Sequence, residues 1–186
     1  MRVFAFIDES YAAGRSYDGI YVLAAVLADN ADESLRSAMR AMHGSNKPGK
    51  AHFHGLNGKE ALVRVRAVAD LQIATAVAVG NPCRHPERVR AACLYRLAVE
   101  LGPRIDGLVI ESRGRQPNTA DWRIVHGLPA RRHSHILSIR FPTGASEPIL
   151  WAADTVAGAV FRALHRNTAE LLDALGPVEV FDVDGS

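Results

Sequence analysis

Residues 3–9 read VFAFIDE, residues 108–111 read LVIE, and residues 148–165 read PILWAADTVAGAVFRALH. In the first two, an unbroken apolar run of the kind that forms a buried strand ends on an acid, Asp8 after VFAFI and Glu111 after LVI. Ligands of open α/β sheets bind outside the carboxyl ends of the strands. Two such strands lying parallel and about 4.8 Å apart bring their terminal carboxylates over one metal ion. Each acid alone also fits a cap on a following turn or helix, and it is the pair that favours a shared ion.

The third stretch is otherwise free of charge from Pro148 to Phe161, and Asp154 sits inside it. On a helix its neighbours are Leu150, Ala157, Gly158 and Phe161, which form the buried face. An unpaired carboxylate there costs several kcal/mol unless it is protonated, hydrogen-bonded or bound to a cation. The small Ala157 and Gly158 let this face approach a sheet closely. The competing placement starts the helix at Thr155 and makes Asp154 its N-cap.

Working outward, strands are expected at Val3 to Ile7, Tyr21 to Ala28, Leu71 to Val79, Leu108 to Ile110 and His135 to Phe141. Helical periodicity marks Asp32 to Met42, Lys59 to Asp70, Pro86 to Leu101, Ile149 to His165 and Thr168 to Leu175. Strands separated by helices of this length give an α/β sheet with helices on its faces. Two stretches read as irregular, functional loops: Gly44 to Asn57, and the arginine-rich run after Glu111.

The 186 residues, 48% apolar and 23% charged, make one compact domain with a sizeable core, and exclude a disordered tail or a disulfide mini-protein. No apolar run reaches the roughly 18 to 20 residues that span a bilayer. The acids in MRVFAFIDES come too early for a signal sequence, so the cytoplasm is the expected location. Cys83 and Cys93 fit no metal spacing and read as buried thiols.

The net charge of +2 says little about partners, but its distribution is uneven. Between Arg113 and Arg140 six arginines face one acid, Asp121, a local +5 against −3 for the rest of the chain. Arginine's planar fork suits phosphate, so Arg113, Arg115, Arg131 and Arg132, with Lys50 in KAHFH, are the candidate nucleic-acid contacts. A solvated face is the plainer reading of the same charges. His52 and His54 are two apart, as are His133 and His135, and four such imidazoles could hold Zn²⁺. No acid stands at a matching offset, so His52 or His54 is better read as a proton carrier, phosphate contact or loop hydrogen bond. There is no GK[ST] phosphate loop and no nucleophile elbow.

FIDES, KAHFH, the strand ending in IES and the late AADTVAGAVF together resemble an uncharacterised bacterial family, catalogued as domain of unknown function thirty-eight hundred, whose members look like divergent ribonuclease-H-like proteins. The resemblance covers most of the chain. It implies one domain over residues 1–186: a ribonuclease-H-like α/β mixed sheet of about five strands with helices on both faces, its central first strand parallel to the fourth. Asp8, Glu111 and Asp154 then match the metal-binding positions of such nucleases, in an arrangement similar to Holliday-junction resolvases, with Mg²⁺ or Mn²⁺ as cofactor. Ala157 stands where a further acid is usual, and the strand period points Glu9 away from Asp8. The expected activity is metal-dependent hydrolysis of RNA or DNA. The alternative is a non-catalytic binding module with a structural ion, and a homodimer is an additional expected partner.

Overall fold

The computed structural model describes residues 2–12, 19–43, 49–50, 52–128, 136–166 and 169–185. In chain order these form β1 (Val3–Tyr11), β2 (Tyr21–Asp29), α1 (Glu33–His43), α2 (Gly58–Ala69), β3 (Ala74–Asn81), α3 (Pro86–Leu101), β4 (Gly107–Ile110), α4 (Arg115–His126), β5 (Ser138–Arg140), α5 (Ile149–Arg166), α6 (Glu170–Leu175) and β6 (Glu179–Asp184). The strands make one mixed sheet in the order β5-β4-β1-β2-β3-β6. β1 is antiparallel to β2 and parallel to β4, with Phe6 opposite Val109 and Ile7 opposite Ile110. The parallel pairing expected for these strands is present, but β1 runs on beside β2 to Tyr11, so Asp8 lies within it, just past the end of the ladder with β4.

Alternation along β1 divides the core. Phe4 and Phe6 pack with α1, α2, α5 and α6 on one face, whereas Ala5 and Ile7 pack with α3 and α4 on the other. Helix α5 covers β1 and β2, and thirteen of its eighteen residues are buried. Alanines at 152, 153, 157 and 159 keep it close to the sheet. It starts five residues before Asp154, so Asp154 is an interior helical residue and not an N-cap. Ahead of α2, Asn57 accepts the Glu60 backbone N–H while Glu60 accepts that of Asn57, a reciprocal cap contributing about 1 kcal/mol.

Three further expectations need correction, and one strand is additional to those expected. The strand expected from Leu71 begins at Ala74, because α2 unwinds through a turn in which Leu71 and Gln72 donate to Val68 and Ala69 carbonyls and Gln72 takes φ 51°. The strand expected from His135 to Phe141 is confined, among the described residues, to Ser138–Arg140. The arginine-rich run is not wholly irregular, since residues 115–126 form α4. Its Pro117 lies in the first turn, where the missing N–H has no helical partner to lose, and its buried Asp121 and Val125 are one turn apart. Finally, a sixth strand, β6, joins β3 in parallel at the sheet edge. Cys83 and Cys93 are buried free thiols, as expected, and burial pushes that of Cys93 up to about 12. No described helix is long and apolar enough to cross a membrane.

Candidate functional site

Asp8 continues the Phe4, Phe6 side of β1. Glu111 follows β4 on the matching side, its N–H extending the parallel ladder to the Ile7 carbonyl at 3.0 Å. From the opposite layer, α5 brings Asp154 down onto the same point. The three carboxylates meet around one cation supplied by the chain itself: Lys50 Nζ donates to Asp8 Oδ2 and Glu111 Oε2 and lies 3.9 Å from Asp154 Oδ1. The Lys50 side chain is 8% exposed. Among the described residues no three His, Cys, Asp or Glu side chains close directly on a metal position, and here the ammonium occupies the centre.

The segment carrying Lys50 is fastened to α5 by three successive turns of the helix. Asp154 Oδ2 accepts the Phe53 backbone N–H at 2.7 Å. Gly158 makes room for the Phe53 ring, since a Cβ there would overlap Phe53 Cδ1. Arg162 lies 4.6 Å over the same ring and donates to the Phe53 and His54 carbonyls, both at 2.9 Å. On the other side Gly144 lies against Glu111 and Lys50, where a Cβ would come within 2.5 Å of both side chains. The Trp151 indole holds that loop by donating to the Gly144 carbonyl at 2.6 Å.

With all three acids ionised, one ammonium would leave a net charge of −2 in a largely buried place, and the protonation equilibria respond. Burial raises Asp8 well above the ordinary carboxylate value; Lys50 opposes this, while Glu111 and Asp154 reinforce it. Burial raises Asp154 as well, against the opposing effects of Lys50 and the Phe53 N–H. Glu111 is also penalised by burial, but its hydrogen bonds with Asp8 and Lys50 prevail and lower it. Burial disfavours the Lys50 ammonium, yet Asp8 and Asp154 more than offset this and keep it charged. The acids open into a cavity of about 340 Å³ whose wall includes His52, His54 and Arg113. A larger hollow of about 540 Å³ between α1 and α2 is lined mainly by apolar atoms and holds none of the three acids.

This architecture has counterparts among solved structures. The crystal structure of Bst-RNase HIII in complex with Mn²⁺ superposes with a TM-score of 0.57 at 15% identity, over 95% of this chain and 57% of that one. A mutant protein of Bst-RNase HIII gives 0.54 at 16% identity, with the same coverage. The fold is ribonuclease-H-like. No protein-family model matches the chain, and no curated protein sequence does. The chain thus spans little more than half the length of the structures it resembles.

At the β1–β4 edge of the helix layer over the sheet, Asp8, Glu111, Asp154 and Lys50 come together, and His52 and His54 stand exposed on the wall of the same cavity. His133, His135, Arg131 and Arg132 lie outside the described residues. Arg115 is exposed at the head of α4. Arg113 lines the cavity but its guanidinium pairs with Glu87 at 2.6 and 3.1 Å and approaches Glu9 and Asp121 at 3.8 and 3.7 Å. Glu9 indeed points away from Asp8, to the opposite face, where it accepts from Arg90 at 2.6 Å. The sequence reading missed the central position of Lys50, and no local pattern marks it, because its carboxylate partners lie 42, 61 and 104 residues away.

Proposed function

We propose that this protein is a metal-dependent nuclease that hydrolyses phosphodiester bonds of RNA or DNA at Asp8, Glu111 and Asp154. One observation carries the reading: acids just past the end of the parallel β1–β4 ladder and on a covering helix converge on a single positive charge beside an open cavity. The donor set suits a hard divalent ion, since the three acids offer only oxygen, and Mg²⁺ or Mn²⁺ is favoured over Zn²⁺. Asp8, Glu111 and Asp154 would hold the ion. There it would make a bound water nucleophilic and stabilise charge on the leaving oxygen. Lys50 is the cation already neutralising these acids; released from them, it is the phosphate contact on this side of the cavity. His52 and His54 are exposed at the wall and serve as candidate proton carriers.

The likeness to Bst-RNase HIII, one of whose structures contains Mn²⁺, supports the fold on which this reading depends. The narrower kinship with the uncharacterised bacterial family and the resolvase-like arrangement rests on FIDES and AADTVAGAVF, which supply Asp8 and Asp154. Nothing in the fold or the comparisons carries the homodimer expectation. A non-catalytic nucleic-acid-binding module is the second reading, and the ion pairing of Lys50 within the triad favours it, because an acid cluster already holding an ammonium can remain assembled without metal. A panel of single-stranded, duplex, hybrid and branched substrates separates the two. Cleavage with Mg²⁺ or Mn²⁺ that stops on adding EDTA is expected; binding without cleavage of any substrate would leave the module.

A further inference from the structure

Helix α4 presents Arg115, Thr119, Trp122 and His126 at i, i+4, i+7 and i+11, a single stripe, and all four are exposed. Arg123, also exposed, flanks it. Trp122 is 46% exposed and its indole stacks on the His126 ring, with centroids 3.7 Å apart and planes 19° from parallel. That contact holds a flat aromatic surface in place on the exposed side of the helix. The one acid of α4, Asp121, lies on the opposite, buried side and accepts from Arg90. The stripe contains no aliphatic residue, so it is not the apolar patch that another folded protein or a lipid surface would cover. An aromatic plane between cations is what base stacking with phosphate contacts requires.

The head of α4 is fastened beside the acids, although the helix packs on the other face of the sheet. Asn118 accepts the Arg113 N–H at 3.0 Å and donates to Ser112 Oγ at 2.9 Å, which fixes the head of the helix to the two residues immediately after Glu111. Twelve residues of helix extend about 18 Å, long enough to run beside several nucleotides of a strand.

We infer that the outer face of α4 is a platform for single-stranded nucleic acid: Trp122 stacks on a base, and Arg115 and Arg123 hold backbone phosphates. The inference rests on the nuclease reading for the identity of the ligand, but its test does not use cleavage. The chain has two tryptophans, and Trp151 is buried with its N–H bonded to the Gly144 carbonyl, so Trp122 is the fluorophore a ligand can reach. The full chain is titrated in EDTA with a single-stranded oligonucleotide and with a duplex of the same length.

Single strand is expected to quench the fluorescence, and the W122F variant to lose that quench. W122A should weaken binding about 5- to 150-fold, the effect of removing one stacked base. R115A and R123A should each flatten the log-log salt dependence by about 0.7. Far-UV circular dichroism is expected to be unchanged in all four variants, since each side chain is exposed. Full binding by W122A with no quench in the parent would overturn the platform while leaving nuclease activity to stand or fall on D154N. Equal quenching by the duplex would overturn the single-strand assignment. If W122A weakens binding but no metal yields cleavage, the platform stands and the nuclease reading fails.

Discussion

Asp8 and Glu9 are consecutive residues on opposite faces of β1, and the charges around them are balanced differently. Glu9 belongs to a balanced network. Arg90, 1% exposed, donates to Glu9, to both oxygens of Asp121 and to the Tyr21 hydroxyl, while Arg113 lies beside Glu9 and Asp121 and extends to the exposed Glu87. Two guanidinium groups thus meet two carboxylates, of which Asp121 is buried while Glu9, like Arg113, lines the same cavity as the three acids. Asp8 belongs to an open network in which one ammonium meets three carboxylates beside a cavity. A balanced set of charges ties elements together, here β1, α3 and the segment leading into α4. A set with surplus negative charge is suited to a cation that is not part of the chain.

The contrast fails first if the open network carries no chemistry. D154N should lower metal-dependent cleavage by more than about 100-fold, the upper range for losing even an outer-shell partner at a metal site. Its unfolding midpoint in urea, measured without metal, should stay the same or rise, because one of three clustered negative charges has gone while the amide oxygen can still accept the Phe53 N–H. A sharp loss of stability with cleavage retained would make Asp154 a structural residue.

On the balanced side the signs reverse. R90M should cost about 3 to 5 kcal/mol in urea unfolding by leaving the buried Asp121, and Glu9, without their principal cation. Cleavage per folded molecule should survive, and its selective loss without destabilisation would place Arg90 with the chemistry. A smaller effect is expected for K50M. Metal-free stability should fall by about 1 to 3 kcal/mol as the acids lose their ammonium, and added Mn²⁺ should restore it. Unchanged stability, with no response to Mn²⁺, would remove Lys50 from the electrostatic balance of the site.

The three acids were legible because each violates an apolar pattern: two end hydrophobic runs, and the third interrupts an uncharged helix. The same runs disclosed β1 and β4, and their parallel pairing followed from the resemblance. Lys50 was read only as a phosphate contact, since its partners are assembled by folding from distant segments. Arg90 gave no warning either, because an arginine in an otherwise ordinary helical pattern looks solvated until Asp121 is placed opposite it. Helix α4 was hidden by Gly114, Pro117 and a polar face, although the buried spacing of Asp121 and Val125 was present in the sequence. Strand β6 alternates, with Phe181 and Val183 packed on the α3 side, but its acidic residues masked that pattern.

The most direct test of the open network is anomalous diffraction from a crystal soaked in Mn²⁺. A peak is expected between Asp8, Glu111 and Asp154, with carboxylate oxygens within about 2.0 to 2.6 Å and the Lys50 ammonium withdrawn from Asp8 and Glu111. A peak at His52 and His54 instead, or no peak while Lys50 remains seated among the three acids at saturating metal, would contradict the assignment of these carboxylates as a site for a divalent ion.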